Sequence, residues 1–282
     1  MIVTLIIALA IYALNVWRGG SAITPDGAFY LASGRGEATP LPYALRYLPR
    51  TIRSLAGWRA MHAGSYLALI AATYAAVHHV SAAHATPAAL TLAVLPSIRQ
   101  STTWPVLLDM PHWATIAVAV ALAQVNPALG FAVCIWSVFI TERTPIFAAL
   151  AAAPWLPWEY VAASVTLSFL WVILLKFAGA YAPAENIEWL QHPIRTALAK
   201  HRTSKMWSWW LPWGGAVVAL PHLGAWAVAM VAVAYGQCIV AQDRARLYTT
   251  AAVPVALSLT SIDPMALYAV AVVTYFTPIT EV

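Results

Sequence analysis

Carboxylates stand at the ends of apolar segments in this chain, where an uncompensated negative charge is costly and usually functional. Asp26 follows the first apolar segment, within the run Ile23–Leu31 that also holds a glycine and two aromatic residues. Asp109 lies directly before another apolar segment, two residues ahead of Pro111. Each carboxylate could act as a general base toward a bound hydroxyl group. Each could instead cap the helix that follows it, and for Asp26 the two roles are compatible.

Arginines accompany acids at three further places. Glu142–Arg143 connects two apolar segments, and the run Asp243–Arg246 repeats this pairing near the C-terminus. Arg99 precedes Asp109 by ten residues. Guanidinium groups bind phosphate through charge-assisted hydrogen bonds, and a neighbouring carboxylate can orient them. The alternative is that each acid and base only neutralise each other. We predict the following phosphate ligands: Arg99, Arg143, Arg244 and Arg246.

A second set of polar side chains consists of weaker candidates for substrate contacts. They are Tyr30, Arg46, Glu142, His192 and Lys205. The sequence contains no zinc-protease motif, no serine-nucleophile elbow and no phosphate-binding loop. His78, His79 and His84 lack the helical spacing of metal ligands. The two cysteines, Cys134 and Cys238, lie in apolar runs, which argues against a disulfide.

The composition excludes most soluble classes of protein. Of the 282 residues, 62% are hydrophobic and 9% are charged, and the mean hydropathy is +0.73. Soluble domains have about 25% charged residues, so a water-soluble enzyme, a disulfide scaffold, a disordered chain and a nucleic-acid-binding domain are all disfavoured. The excess of 15 Lys and Arg over 10 Asp and Glu indicates where anionic headgroups or substrates lie.

The apolar segments that must position these residues predict an all-α, polytopic membrane protein with ten or eleven membrane segments in a single domain, residues 1–282. A full span needs about 20 residues. Several segments are shorter, as expected where proline breaks helices that pack inside protein. The segments are Met1–Trp17, Gly57–Val80, Pro87–Ser97, His112–Val125, Ala128–Thr141, Ile146–Leu156, Val161–Ala182, Trp209–Leu220, Leu223–Ala241, Leu247–Leu259 and Met265–Thr280.

Two hydrophilic stretches, residues 18–56 and 183–207, are long enough to contain structure of their own. In the first, Arg46, Arg50 and Arg53 follow one another at i, i+4 and i+7, which places three guanidinium groups on one helical face. Pro49 is expected to divide the stretch into two short helices that lie in the membrane interface.

Alternating the segments across a membrane gives two sides. The A side receives both hydrophilic stretches, Arg99, Asp109, Glu142–Arg143 and Asp243–Arg246, whereas no Lys or Arg falls in a loop of the B side. The positive-inside rule would make the A side cytoplasmic. The alternative is a polar active-site face whose arginines bind a lipid phosphate.

The order of these features resembles the GT-C superfamily of membrane glycosyltransferases, which use polyprenyl-phosphate-linked sugars. The resemblance begins with Asp26–Leu31 and continues through Pro42–Pro49, which is similar to a run in bacterial relatives, although here Pro49 follows Leu48 directly. Asp109–Pro111 and Glu142–Arg143 look like the charged positions at the fourth span and between the fifth and sixth spans. Asp243–Leu247, followed by Pro254, looks like the late basic motif. The suspected relatives are small bacterial or phage-type members.

The resemblance implies that Asp26 is the catalytic base and that the sugar is transferred with inversion to a lipid, glycan or protein hydroxyl. It implies a bacterial inner-membrane enzyme of the cell envelope, with an extracytoplasmic active site. Its partners would be the bilayer and the lipid-linked donor, without nucleic acid. No cofactor is required, but Asp26 and Asp109 could hold Mg²⁺ or Mn²⁺ if they converge.

Three other functions remain open. A transporter or flippase of an anionic or lipid-linked substrate would need charged residues along a mid-membrane path, for which Lys176 is the one candidate. A different lipid-modifying enzyme would have a cytoplasmic site on the A side. A structural membrane protein would use its charges for orientation alone. The convergence of four residues on one cavity at the A side distinguishes the glycosyltransferase from most of these: Asp26, Asp109, Arg143, and either Arg244 or Arg246.

Overall fold

The computed structural model describes residues 1–19, 23–40, 43–177, 191–202, 211–237 and 249–277 of the chain. These residues are mainly helical and include no β-strand, which confirms the all-α prediction. Helical structure occurs in the described part of each predicted apolar segment.

Fourteen α-helices are formed by the described residues. They are α1 (Ile2–Gly19), α2 (Pro25–Gly34), α3 (Leu48–Thr51), α4 (Leu55–Val80), α5 (Ala82–Ala93), α6 (Pro96–Thr102), α7 (Asp109–Val125), α8 (Pro127–Trp136), α9 (Thr144–Ala152), α10 (Trp158–Phe177), α11 (Pro193–Arg202), α12 (Ala225–Gly236), α13 (Ala252–Ser258) and α14 (Pro264–Phe276). Segments of 3-10 helix occur at Tyr43–Leu45, Ser137–Phe139, Ala153–Trp155, Leu211–His222, Thr249–Ala251 and Leu259–Ser261.

Helices α1 and α4 are, among the described residues, the two that are long and apolar enough to cross a membrane. Several other apolar helical stretches have only 10–17 residues each. Length and composition alone would also suit the core helix of a soluble protein or, for α1, a signal sequence. The polytopic arrangement is therefore taken up below as a proposal.

The centre of the molecule is formed by α4 and α7, which pack against each other. Helix α5 lies against α4, α8 and α9 lie against α7, α14 contacts α5, and α10 contacts α9. Much of the core is alanine, and such small side chains let helix backbones approach closely.

Local sequence signals explain where the helices begin and end. Asn126 caps the N-terminus of α8, because its side-chain oxygen accepts a hydrogen bond from the backbone N–H of Ala128 at 2.9 Å. Pro127 is the first residue of α8, a position that proline favours. Asp263 caps α14 in the same way, with Pro264 as its first residue. The helical hairpin of α7 and α8 therefore follows directly from two residues.

The first hydrophilic stretch contains short helices, as predicted, and Pro49 lies in the first turn of α3. The predicted common face of Arg46, Arg50 and Arg53 is wrong. Helix α3 has only four residues, so Arg46 precedes it and Arg53 follows it. Arg46 instead turns toward Glu142, and Arg50 and Arg53 line an open cavity.

One contact joins two regions that are far apart in the chain. The sequence analysis places the stretch His78–His84 and Asp263 on the B side. In the structure, a ring nitrogen of His84 lies 2.8 Å from the backbone oxygen of Ile262, the residue before Asp263. The first turn of α5 thus meets the residue that precedes the cap of α14.

We expect Gly130→Ala to destabilise the fold by about 1–3 kcal/mol, the usual cost of overpacking. A Cβ atom at Gly130 would lie 2.5 Å from the Cβ of Ala123 and 2.9 Å from its backbone nitrogen, so α7 and α8 would have to separate. Thermal unfolding of the purified protein, followed by tryptophan fluorescence, measures this loss.

Gly64→Ala is the matched control, because Gly64 lies within α4 and a Cβ there meets nothing within 4 Å. The change should be neutral or stabilise by up to about 1 kcal/mol through helix propensity. Equal melting temperatures for the two variants would contradict the close packing of α7 on α8.

Candidate functional site

Asp26 lies in the first turn of α2, beside the helix N-terminus where a negative charge is favourable. The alternative role of Asp26 as the helix cap is wrong. Thr24 holds that position, because its hydroxyl oxygen accepts a hydrogen bond from the backbone N–H of Gly27 at 3.1 Å. The Asp26 carboxylate is half-buried, and the hydroxyl of Tyr43 donates to it at 2.7 Å.

Two buried tyrosines lie next to Asp26. Tyr30 is 1% exposed and Tyr43 is 2% exposed, and their rings meet edge to face at 5.4 Å. Arg46 lies against both rings, with its Cζ atom 5.6 Å from the centroid of Tyr30 and 5.4 Å from that of Tyr43. Arg46 also donates a hydrogen bond to the Tyr30 hydroxyl. The rings therefore fix the guanidinium plane by cation–π contacts.

Arg46 joins the first hydrophilic stretch to the loop between α8 and α9. Its Nε and Nη2 atoms lie 3.3 and 3.4 Å from the two carboxylate oxygens of Glu142, which is the two-point geometry that Arg and carboxylate favour. The side chains are only 12% and 18% exposed, so water screens the pair weakly.

The electrostatic environment fixes the charge state of these groups. Burial would lower the pKa of Arg46, but the Glu142 carboxylate and the Tyr30 and Tyr43 hydroxyls together outweigh it, and the pKa is raised. Burial would likewise raise the pKa of Glu142, yet Arg46 holds it below the usual range. Burial, and then the negative charge of Asp26, raise the pKa of Tyr43, which stays protonated as the donor to Asp26.

Asp109 is the first residue of α7, and its side chain is 3% exposed. The residue at the helix cap is Leu108, which makes no side-chain capping bond. An Arg143 nitrogen lies 3.7 Å from the Asp109 carboxylate, and Arg143 also donates to the Gln237 side chain at 3.2 Å. Asp109 thus compensates an arginine that is adjacent in sequence to Glu142.

The sequence analysis missed three residues of this region: Tyr43, His62 and His112. His112 is fully buried, and its Nδ1 atom lies 2.9 Å from the Thr144 hydroxyl. The spacing of Asp109 and His112 at i and i+3 could have indicated their common face. His62, whose ring contacts Tyr12 and Ser101, belongs to an apolar helix and gave no signal.

A series of contacts thus links Asp26, through Tyr43, to Tyr30, Arg46 and Glu142, and the next residue, Arg143, contacts Asp109. These six residues are here called the acid–arginine cluster: Asp26, Tyr30, Arg46, Asp109, Glu142 and Arg143. Arg99 is directed elsewhere. Its guanidinium binds backbone oxygens of Val94, Thr274 and Thr277 and lies 5.3 Å from the ring centroid of Tyr275, so it holds the end of α14.

The other predicted site residues lie apart from the acid–arginine cluster or outside the described residues. The described bonds of His192 are made by its backbone oxygen, which accepts from Thr196. Its side chain lines an open cavity with Arg195 and Arg202. Arg244, Arg246 and Lys205 lie outside the described residues, as does the side chain of Lys176.

The cluster does not fit a divalent cation. Asp109 faces Arg143, whose positive charge would oppose a metal ion, and Asp26 is bound to the Tyr43 hydroxyl. No group of three or more His, Cys, Asp and Glu side chains within the described ranges could hold a metal ion. Mg²⁺ is usually held by one or two carboxylates together with water and substrate phosphates, and here both carboxylates already have protein partners.

Comparisons of the chain with protein-family models, with curated proteins and with solved structures give no match.

We expect Glu142→Gln to destabilise the protein by about 3 kcal/mol, the usual cost of removing one partner of a buried ion pair. Its measure is the free energy of unfolding in denaturant at neutral pH. The folded-state pKa of Glu142 is lowered, so this stability is present above the unfolded value near 4.5. It is lost as the pH falls through the folded value, and Glu142→Gln should flatten that acid limb.

Glu37→Gln provides the control, since it breaks an ion pair with Arg35 in the same stretch whose side chains are 60% and 55% exposed. Exposed pairs of this kind contribute little to stability. Unchanged stability in Glu142→Gln would contradict the role of the Arg46–Glu142 pair.

Proposed function

We propose that this protein is a membrane glycosyltransferase of the GT-C type that transfers a sugar from a polyprenyl-phosphate-linked donor to an acceptor hydroxyl. The observation that carries the proposal is the acid–arginine cluster. Its members come from the first hydrophilic stretch, the start of α7 and the loop before α9. The contact between Arg46 and Glu142 joins residues that are 96 positions apart in the sequence. The same residues lie in the runs on which the resemblance to the GT-C superfamily rests.

Asp26 is the general base of the proposed reaction. It removes the proton of the acceptor hydroxyl while that oxygen forms a bond to the anomeric carbon of the sugar. The Tyr43 hydroxyl acts as a positioning group, because its hydrogen bond to one carboxylate oxygen fixes the orientation of Asp26. Attack from the face opposite the phosphate gives inversion in a single displacement.

Arg143 is the phosphate ligand in this proposal. The bond between the anomeric carbon and the phosphate oxygen breaks, and the electron pair leaves with the lipid phosphate. A preorganised guanidinium stabilises that developing charge without a metal ion. Arg143 is 28% exposed, and its contacts with the Asp109 carboxylate at 3.7 Å and the Gln237 side chain at 3.2 Å hold its guanidinium beside the start of α7.

A membrane location agrees with the apolar surface. Helices α1 and α4 have the length and composition to cross a bilayer, and α10 exposes the large side chains Phe169, Leu170 and Leu174. Shorter helices can lie at membrane depth when they pack inside protein. We propose a multi-pass protein of a bacterial inner membrane, with the acid–arginine cluster on the extracytoplasmic side.

A flippase of a lipid-linked substrate is the second candidate. The observation that favours it is a polar line inside the helices, in which His62 contacts the Tyr12 hydroxyl at 3.2 Å and Ser101 at 3.4 Å. A flippase would move the lipid-linked sugar between leaflets of a vesicle without releasing polyprenyl phosphate.

We expect Asp26→Asn to lower the transfer rate by roughly two to four orders of magnitude, the usual contribution of positioned proton transfer. Asn keeps the side-chain volume, and the cap of α2 on Thr24 stays intact. The assay uses the full chain in nanodiscs with a panel of undecaprenyl-phosphate-linked sugars and a membrane lipid extract as acceptor. Its readout is released polyprenyl phosphate.

Tyr43→Phe and Asp109→Asn are the matched variants. Tyr43→Phe should reduce the rate less than Asp26→Asn and should change its pH profile. Asp109→Asn should cost less than Asp26→Asn, because Asp109 acts through Arg143. Full turnover by Asp26→Asn beside an inactive Asp109→Asn would assign the base to the other carboxylate. Turnover retained in both would refute the mechanism.

We expect single cysteines at the exposed Thr51 and the half-buried Thr196 to be labelled from the same side of the membrane. The parity of the predicted segments places both residues on the A side. The measurement is reaction with an impermeant maleimide in whole cells, in a background without Cys134 and Cys238. Labelling of one site alone refutes the parity, and labelling of both only after cell lysis refutes the extracytoplasmic orientation.

A further inference from the structure

A second basic region lies within the first hydrophilic stretch. It is an open cavity of about 670 Å³, within the size range of small-molecule sites. Its lining residues come from the end of α2, the turn that follows, and the region of α3: Ser33–Thr39, Ala44, Arg50 and Arg53. We propose that this cavity binds a phosphate group through Arg50 and Arg53.

The balance of charge in the cavity favours an anion. Three arginines line it, and Glu37 is the one acid in its described lining. Glu37 already pairs with Arg35, whose Nε atom lies 2.6 Å from its carboxylate. The guanidinium groups of Arg50 and Arg53 remain as two like charges beside one space, and a bound phosphate would remove their repulsion.

The walls of the cavity are preorganised. A Cβ atom at Gly34 would lie 2.3 Å from the backbone oxygen of Ile52, so α2 touches the chain after α3 directly. Gly36 turns the chain with a φ of +82°, a conformation that glycine adopts readily. The Arg50 Nη2 atom donates to the backbone oxygen of Ala44 at 2.6 Å, which holds the guanidinium over the cavity.

This cavity is separate from the acid–arginine cluster. The 3-10 segment Tyr43–Leu45 lies between them, with Tyr43 bound to Asp26 and the carbonyl of Ala44 bound to Arg50. None of the six cluster residues lines the cavity. The proposal therefore does not depend on the glycosyltransferase reaction. The phosphate could belong to a lipid headgroup or to a soluble phosphate ester, and both offer the same oxygens to arginine.

Binding measurements on the full chain test the proposal. Inorganic phosphate and glycerol 3-phosphate are titrated into the protein in phosphatidylcholine nanodiscs by calorimetry, and short-chain phosphatidic acid is titrated in a second arm. Arg50→Gln/Arg53→Gln should weaken binding by about tenfold or more through the loss of charge-assisted hydrogen bonds. Arg195→Gln/Arg202→Gln removes two charges from α11 and should bind as the wild type does.

Each outcome decides the question. Binding of the soluble compounds identifies a phosphate-ester site, and binding of phosphatidic acid alone identifies a lipid-headgroup site. Equally weakened binding in both double variants would show that binding depends only on the net charge of the protein, and would overturn the proposal. A wild type that binds none of the three compounds would overturn it as well. Arg53→Glu, at an exposed position, repeats the test without disturbing the Arg50–Ala44 bond.

Discussion

The ion pair between Arg46 and Glu142 holds the candidate site together, because it is the described bond that ties the first hydrophilic stretch to the loop between α8 and α9. A buried pair repays the desolvation of its charges only when its geometry is good and its remaining polar atoms are bonded. Arg46 meets that condition with two bonds to Glu142, one to Tyr30, and two aromatic rings. One of these rings belongs to Tyr43, whose hydroxyl donates a hydrogen bond to Asp26. The position of the proposed base therefore depends on a guanidinium group that takes no part in the proton transfer.

The sequence allowed the membership of the site to be predicted better than its pairings. The sequence indicates Asp26, Asp109 and Glu142–Arg143 because charged residues at the ends of apolar segments are costly. That argument does not depend on how the segments pack against one another. The pairing of Arg46 with Glu142 could not be predicted, because no spacing rule relates residues so far apart in the chain. The helical-stripe argument failed at Arg46 for a physical reason. A helix of four residues cannot keep a seven-residue repeat on one face, and the aromatic neighbours offered Arg46 a better environment.

The fold shows a similar division between local and long-range information. Asn126, Pro127, Asp263 and Pro264 mark helix boundaries that the sequence indicates directly. The central packing of α4 on α7 carries no such signal, since apolar residues surround both helices and do not define a face. Close contacts are then decided by where small residues coincide, as at Gly130 and Ala123. A hydrophobic pattern therefore gives the number of helices more readily than their neighbours.

The arginines of the first hydrophilic stretch separate into two kinds according to burial. Arg46 is enclosed, and a charge in that position has to be compensated by the protein itself, which Glu142 does. Arg50 and Arg53 are exposed, so water solvates their guanidinium groups and no protein carboxylate is needed beside them. An incoming phosphate would have to break the Arg46 pair, whereas it could join Arg50 and Arg53 directly. Arg143 is intermediate between the two kinds, because it is 28% exposed and yet contacts both the Asp109 carboxylate and the Gln237 side chain. Charge compensation, more than the number of arginines, thus separates those that hold the fold from those that can hold a ligand.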